Sequence, residues 1–306
     1  GGGGASLPGC NNVGSWVSTG SVTNVEYFNA AWGADDADLW AVGKSTNEGS
    51  GIIAHWNGSS WSTEVVGSQG SVLNGIWGSA SGTLYAVGSG GMVLKREAGG
   101  SWISFYSPDN VDLYGVWGTD ANHFWVVGAS GAAHYWSDTD WINRSIVGDA
   151  NNTIGKLRSI WSYDGTVVWV SNETGAASAN DYVLQRWEDE AWSKYASWSY
   201  YNQAVWGTAE NDIWAVGYSK GTSAHFDGSQ WTSSNAPAGS PNLKSVWGFE
   251  PGTVWAVGDG GQIDLWNGAE WTACTKVTQA NLNAVTGTTS KAWAFGTGGI
   301  VLRNDL

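Results

Sequence analysis

A short apolar stretch that ends in Trp-Gly recurs along this 306-residue chain at intervals of 39 to 45 residues. Each copy continues with a second stretch that opens on an aromatic residue, a third that follows a glycine, and in most copies a fourth that opens on Trp. Two copies hold Trp161-Ser162 and Thr286-Gly287 at the Trp-Gly position. With the five regular pairs the chain carries seven copies, the regular pairs being Trp32-Gly33, Trp77-Gly78, Trp117-Gly118, Trp206-Gly207 and Trp247-Gly248.

The length of the apolar stretches favours β-strands. They are short and bounded by glycine, without a helical period, and the Gly-bearing tetrapeptides between them suit tight hairpin turns. Four strands per copy, repeated in series, are typical of a β-propeller. The sequence therefore predicts an all-β, seven-bladed β-propeller with four antiparallel strands per blade.

The two ends of the chain are predicted to complete one blade together. The seventh copy stops after its third strand, and the stretch from Gly14 to Val17 matches the openings of the fourth strands. Closing the ring in this way removes the exposed edges of an open array. Residues 1–12 are interpreted as a Gly-rich tether and residues 13–306 as one propeller, with blades at about 26–66, 72–107, 112–146, 156–197, 202–235, 242–276, and 281–304 plus 13–20.

The two cysteines agree with that closure. Cys10 precedes the N-terminal strand of blade 7, and Cys274 follows the fourth strand of blade 6. Because blades 6 and 7 are neighbours, a disulfide between them is expected, and it would indicate an oxidising compartment. Two unrelated buried thiols are the alternative.

Charge and hydropathy narrow the choice of partners. The formal net charge is -14 and no basic cluster interrupts it, so nucleic acid is not expected as a partner. No apolar run approaches the roughly 18 residues that a membrane-spanning helix needs, so no transmembrane segment is expected. A lipid anchor upstream of Gly1 and membership of a larger surface assembly are left open.

The positions of the tryptophans support the repeat, and one tryptophan lies outside it. Of 24 tryptophans, 23 occupy the four repeat positions and are interpreted as packing residues between sheets. Trp198 is out of register, in the loop between blades 4 and 5, among other aromatic and amide side chains. This loop predicts a ligand-binding or partner-binding group made of Trp198, Tyr195, Tyr200, Tyr201 and Asn202, with a lid over the blade as the alternative for Trp198.

The longest insertions fall in consecutive blades 3 to 5, at residues 146–156, 171–181 and 195–203. All three belong to loops that share one propeller face, so we expect them to cluster. Asp149, Glu173 and Asp181 lie in or beside these loops and are added to the predicted binding residues. Such oxygen ligands suit Ca²⁺, but no fixed spacing supports a site, so neither a metal site nor a cofactor is predicted.

Catalytic motifs are not found. The sequence contains no HExxH, GxSxG, Walker loop or CxxC. His55 and His225 hold the same repeat position, which favours packing over catalysis. No catalytic residue is predicted, and the chain is expected not to be an enzyme.

The units VWGFEPGTVWAVGDGGQIDLWNGAEW and VWGTAENDIWAVGYSKGTSAHFDGSQW resemble the Trp/Gly-rich repeats of bacterial extracytoplasmic propeller proteins, many of them predicted lipoproteins. The resemblance spans Trp16 to Leu302 and implies a secreted, cell-surface or outer-membrane-associated location. The expected function is a non-catalytic binding or scaffold propeller that recognises a protein partner or glycan through the long-loop face of blades 3 to 5. A multivalent lectin and, less favoured, a glycan-active hydrolase or lyase are the alternatives.

Overall fold

The computed structural model describes residues 10, 14–47, 49–148, 154–173, 184–196, 202–218, 222–235, 237, 240–288 and 290–306. These residues form seven four-stranded antiparallel sheets. The first strands of successive sheets contact one another, and the first strand of the last sheet contacts that of the first, so the ring is closed. The predicted all-β, seven-bladed propeller is confirmed. In this described part of the chain, no helix is both long and apolar enough to cross a membrane.

Twenty-eight strands build the blades, four to each. In chain order they are β1 (Val17–Ser21), which belongs to blade 7; β2 (Val25–Asp35), β3 (Asp38–Ser45), β4 (Gly51–Trp56) and β5 (Trp61–Val66) in blade 1; β6 (Leu73–Gly78), β7 (Leu84–Gly88), β8 (Val93–Arg96) and β9 (Ile103–Ser104) in blade 2; β10 (Leu113–Asp120), β11 (His123–Gly128), β12 (Ala133–Ser137) and β13 (Asp140–Asn143) in blade 3; β14 (Lys156–Ser162), β15 (Val168–Glu173), β16 (Leu184–Glu188) and β17 (Ala191–Ala196) in blade 4; β18 (Asn202–Ala209), β19 (Asp212–Gly217), β20 (Thr222–Phe226) and β21 (Trp231–Asn235) in blade 5; β22 (Leu243–Glu250), β23 (Thr253–Gly258), β24 (Ile263–Trp266) and β25 (Trp271–Ala273) in blade 6; and β26 (Leu282–Gly287), β27 (Lys291–Gly296) and β28 (Ile300–Asp305) in blade 7.

The N-terminal strand closes the ring as expected. β1 pairs antiparallel with β28, with Val17 opposite Arg303. The strand begins at Val17 rather than at Gly14, and Trp16, directly before it, is buried against the neighbouring blade. Its ring meets Trp255 of blade 6 edge-on, with ring centroids 5.3 Å apart.

A disulfide ties the same two blades together. Cys10 and Cys274 are bonded across a sequence separation of 264 residues, and both are buried. The predicted pairing is confirmed. The N-terminal end of the chain is therefore attached to blade 6 covalently and to blade 7 through β1.

Fourth-strand tryptophans hold adjacent blades together. In most blades this indole packs edge-on against the second-strand aromatic residue of the preceding blade, at centroid distances of 5.3 to 6.1 Å. Such pairs contribute about 0.5–1.5 kcal/mol each beyond the area that they bury. The pairs are Trp102 with Trp40, Trp192 with Trp125, Trp231 with Trp169, Trp271 with Trp214, and Trp16 with Trp255.

First-strand tryptophans explain why glycine follows them. At five of the seven blade junctions the indole lies against the Trp-Gly glycine of the next blade, so that a Cβ added there would fall closer than 3.0 Å to the ring. Only glycine leaves room for that contact. The pairs are Trp32 on Gly78, Trp77 on Gly118, Trp161 on Gly207, Trp206 on Gly248 and Trp247 on Gly287.

Candidate functional site

The first strand of every blade carries a β-bulge at the same place. The residue three positions before the first-strand Trp, or before Thr286 in blade 7, is skipped in the register with the second strand. A bulge releases one residue from ladder pairing and re-aims its side chain. The seven released residues are Asn29, Asn74, Tyr114, Arg158, Gln203, Lys244 and Asn283.

All seven released side chains line one cavity of about 520 Å³ at one end of the central channel. We call this cavity the upper mouth. It lies on the propeller face where each fourth strand leads to the next first strand, which is the face of the long insertions. Its wall is completed by Tyr27, Val72, Ser89, Asp112, Tyr218 and Thr297.

Three of the seven side chains form hydrogen bonds that hold neighbouring blades together. Asn29 donates its amide N–H to the carbonyl of Leu73, at 3.0 Å, and Asn74 donates to Leu113, at 2.9 Å. Asn283 donates in the same way to the carbonyl of Phe28, at 2.8 Å. Blades 7, 1 and 2 therefore present asparagines whose donors are already satisfied by the next blade.

The next two blades present an aromatic and a cationic side chain instead. The Arg158 guanidinium carbon lies 4.7 Å from the centre of the Tyr114 ring, a cation–π contact. Arg158 also pairs with the carboxylate of Glu173 at the end of β15. Burial, and then the nearby Asp112 carboxylate, raises the pKa of Tyr114, so its phenol stays protonated and able to donate.

Gln203 of blade 5 and Lys244 of blade 6 are the other two released residues that are not asparagine. The side-chain N–H group of Gln203 is buried and has no hydrogen-bond partner among the described residues. Lys244 Nζ lies 2.6 Å from Asp259 Oδ1 and donates to Asn283 Oδ1 at 3.1 Å. Partial burial opposes ionisation of Asp259, but hydrogen bonds from Lys244 and Asn242 outweigh it and lower its pKa.

Blades 3 to 6 thus offer hydrogen-bond donors from Tyr114, Arg158, Gln203 and Lys244 in a row. An unpaired buried donor is unfavourable until an acceptor meets it. The arrangement suits a ligand that brings acceptors, such as main-chain carbonyl groups, carboxylates or hydroxyl groups. Because the seven positions carry five different residue types, it suits one asymmetric ligand better than several identical ones.

The residues predicted to bind from sequence do not all fall at this mouth. Glu173 does not line the mouth but forms an ion pair with Arg158, which does. Asn202 begins β18 directly before Gln203. Five others lie outside the described residues, namely Asp149, Asp181, Trp198, Tyr200 and Tyr201.

Tyr195 lies elsewhere in the described structure. Its ring packs edge-on against Trp169, at 4.8 Å, and against Phe226, at 5.7 Å, in the core between blades 4 and 5. It is not among the residues that line the upper mouth. The structure therefore separates Tyr195 from Glu173, with which the sequence had grouped it.

The repeat-equivalent histidines belong to matching packing units. In blade 1 the His55 ring stacks on Trp40 at 3.8 Å, and Asp38 Oδ1 lies 2.8 Å from His55 Nε2. The same carboxylate oxygen accepts a hydrogen bond from Trp40 Nε1 at 2.7 Å. Blade 5 repeats the unit with Asp212, Trp214 and His225.

A buried carboxyl group lies in blade 6. Asp264, in β24, is fully buried and accepts hydrogen bonds from Gln262 at 2.6 Å and from Ser240 at 3.0 Å. Burial raises its pKa to about 6 in spite of those bonds. Among the described residues, no three His, Cys, Asp or Glu side chains gather closely enough to hold a metal ion. The expectation of no metal site and no cofactor stays a prediction.

Comparison with known proteins supports the fold. No protein-family model and no curated protein sequence matches this chain. Among solved structures, YCF48 from Cyanidioschyzon merolae is similar with a TM-score of 0.74 at 18% identity, over 95% of this chain and 99% of that one.

Two further solved structures are similar over nearly the whole chain. A structure of YCF48 bound to D1 peptide has a TM-score of 0.74 at 16% identity, over 98% of this chain and 100% of that one. A catalytically inactive virginiamycin B lyase from Staphylococcus aureus with quinupristin has a TM-score of 0.80 at 10% identity, over 95% of this chain and 99% of that one. At these identities the likeness shows the propeller architecture alone.

Proposed function

We propose that this chain is a non-catalytic, extracytoplasmic binding or scaffold propeller that recognises a segment of a protein partner at its upper mouth. The observation that carries the proposal is the break in the ring of bulge residues. Three asparagines clamp blades 7, 1 and 2, whereas blades 3 to 6 line the cavity with Tyr114, Arg158, Gln203 and Lys244, of which Gln203 has a buried side-chain N–H without a partner among the described residues.

The charges of the mouth indicate which groups a partner would bring. Arg158 and Lys244 are each balanced by one carboxylate, Glu173 and Asp259, within a chain of net charge -14. An entering acceptor would share these two cations and meet the unpaired Gln203 donor. A polypeptide segment with exposed carbonyl or carboxylate groups fits this chemistry, and charged contacts of this kind mainly set orientation and association rate.

Two further points support a protein partner. A similar propeller, YCF48, has been solved with a D1 peptide bound, so this architecture accommodates a peptide. The sequence assigns the long insertions of blades 3 to 5 to loops of the same propeller face, where they would extend the contact area. The lyase among the similar structures keeps an enzymatic function as the competing hypothesis. The Asp-Trp-His packing of His55 and His225 argues against those two histidines as catalysts.

The extracytoplasmic location rests on the disulfide. The bond between Cys10 and Cys274 is of the kind that persists in oxidising compartments. Location is tested by fractionating the native host and probing the two cysteines with a thiol reagent. A reduced, thiol-reactive pair in the cytoplasmic fraction would contradict it.

The binding proposal is tested by selecting a displayed random-peptide library against the intact protein. Dissociation constants of enriched peptides are then measured by fluorescence polarisation for wild type, Arg158→Gln and Lys244→Gln. We expect each substitution to weaken binding at least about tenfold, as loss of a desolvated charged contact does. Lys95→Gln is the matched control, because Lys95 on blade 2 is about as exposed as Lys244 and also forms an ion pair, with Glu97, but does not line the mouth.

Three outcomes decide against the proposal. Enriched peptides that bind both mouth variants as tightly as wild type would place binding elsewhere. Selection that enriches no peptide would remove the protein-partner reading. Binding on a glycan array that depends on Arg158 would favour the lectin alternative instead.

A further inference from the structure

The seven first strands should present a complete ring of tryptophans around the channel, and one is missing. At the junction of blades 7 and 1 the first-strand position holds Thr286, which is buried. The glycine that would receive an indole there, Gly33, is retained. The three atoms nearest to a Cβ placed on Gly33 belong to Leu39 and Asp38, not to an aromatic ring.

The uncovered glycine is also more accessible than most of its equivalents. Gly78, Gly118, Gly207 and Gly248 are buried beneath indoles, whereas Gly33 is partly exposed. The glycine on which an indole lies at other junctions is therefore present here, but no indole from the preceding blade covers it. A second junction, between blades 3 and 4, differs because Ser162, which is buried, replaces the glycine.

A cavity of about 560 Å³ lies beside this junction, on the face opposite to the upper mouth. Gly33 and Thr286 do not line it, but the residues that directly follow them, Ala34 and Gly287, do. We call it the lower pocket. Its aromatic wall is Trp247, partly exposed, and Phe249, which is 40% exposed. The rest of the lining comes from the two neighbouring blades, namely Ala34, Asp35, Asp36, Ala37, Gly287 and Thr288.

The charge around the lower pocket is negative. Asp35 and Glu250 are exposed on the first turns of blades 1 and 6. Asp36 is paired with Lys291, at 2.6 Å, so the carboxylate and the cation balance each other. The turns between first and second strands of other blades add acidic residues to the same face, namely Asp120, Asp164 and Glu210.

We propose that the lower pocket binds an aromatic side chain from a partner polypeptide, inserted at the place that six other blades fill with their own first-strand Trp. The partner segment carries Lys or Arg beside the aromatic residue, because Asp35 and Glu250 flank the entrance. The space left by the missing indole favours a planar group, and the acidic residues at the entrance favour positively charged residues beside it. This site is on the opposite face from the upper mouth and does not depend on the proposed function there.

The test uses the intact protein and a small peptide probe, acetyl-Lys-(5-fluoro-Trp)-Lys-amide, observed by its own ¹⁹F NMR signal. We expect saturable broadening or shift of this signal with wild-type protein. Thr286→Trp supplies the missing ring in cis and should weaken binding at least about tenfold. Thr286→Val leaves the pocket open and serves as the matched control, with binding like wild type.

Two more variants keep the test decisive if Thr286→Trp does not fold. Phe249→Ser removes an exposed aromatic wall and Asp35→Asn removes a rim charge, and each should weaken the probe several-fold. Excess acetyl-Lys-Ala-Lys-amide should not displace the probe, and Arg158→Gln should leave its binding unchanged. The proposal is overturned by equal affinity in wild type and Phe249→Ser, or by no saturable change up to about millimolar probe.

Discussion

The buried carboxyl of Asp264 makes the stability of blade 6 depend on pH in a definite direction. Its pKa is about 6 in the folded protein, against a usual value of 3.8. Well below pH 3.8 the group is protonated in both the folded and unfolded states, so its ionisation does not affect stability. As pH rises, the unfolded chain releases the proton first, and the folded state is progressively disfavoured.

The expected magnitude follows from the two pKa values. A rise from 3.8 to about 6 corresponds to about 3 kcal/mol of unfolding free energy, fully lost above pH 6. Asp264→Asn keeps the shape of the side chain and an acceptor for Gln262 or Ser240 but has no charge to lose. Relative to wild type, the free energy of unfolding of Asp264→Asn should therefore rise by about 3 kcal/mol between about pH 4 and pH 8.

The measurement is guanidinium denaturation followed by tryptophan fluorescence at a series of pH values. Asp227→Asn is a suitable control, because turn hydrogen bonds from Ser229 and Gln230 lower the pKa of exposed Asp227 to about 2. Its stabilising contribution is lost only as pH falls from 3.8 through about 2, so its offset from wild type should be flat across this window. An offset for Asp264→Asn that is also flat, or that shrinks with rising pH, would refute the reasoning.

Three further comparisons test the packing. Gly248→Ala should lower the free energy of unfolding by about 1–3 kcal/mol in chemical denaturation, because its Cβ meets an indole and a carbonyl oxygen closer than 3.0 Å; an unchanged value would show that the junction yields easily. Replacing Cys10 and Cys274 by Ser should lower the same quantity by at most about 5 kcal/mol, since β1 still closes the ring, and a larger loss would mean that the strand depends on the disulfide. Asn74→Ala should cost about 1–3 kcal/mol through its lost clamp, whereas Gln203→Ala should change stability little; equal effects would contradict the division between clamps and free donors.

The fold could be predicted from sequence because one pattern was repeated seven times. The period of strands and turns determines a propeller blade, and the missing fourth strand of blade 7 points directly to Gly14–Val17 as its substitute. The cysteine pairing then follows from which blades are neighbours. Each of these steps uses spacing along the chain, which the sequence displays without ambiguity.

The candidate site was harder to find because it lies inside the pattern. Asn74, Tyr114, Arg158 and Lys244 hold one repeat position, three residues before the first-strand Trp or its equivalent. Residues that recur at the same repeat position are by default interpreted as packing residues. The available signal was a polar residue at this place in an otherwise apolar strand. The bulge that turns it toward the channel depends on pairing with the second strand, which single-strand periodicity does not reveal.

Sequence reasoning instead favoured residues outside the pattern. Trp198 and its neighbours lie outside the described residues, so their role stays a prediction. Tyr195 was grouped with them by proximity in sequence, but a residue near the end of a fourth strand can still point into the blade junction, where Trp169 and Phe226 surround it. Blade 6, whose repeat follows the pattern closely, contributes Lys244 to the mouth.

The bulge has a consequence for how such a protein can change. Because the released residue takes no part in the ladder, strand pairing does not set its identity. In blades 7, 1 and 2 the asparagine still clamps two blades together, whereas blades 3 to 6 carry four different residues at this place. From blade 1 to blade 7 the seven released residues are Asn, Asn, Tyr, Arg, Gln, Lys and Asn. The released residue of a single blade can be substituted while every sheet keeps its strand pairing. Selection, or an engineer, can therefore retarget the mouth one blade at a time on an unaltered scaffold.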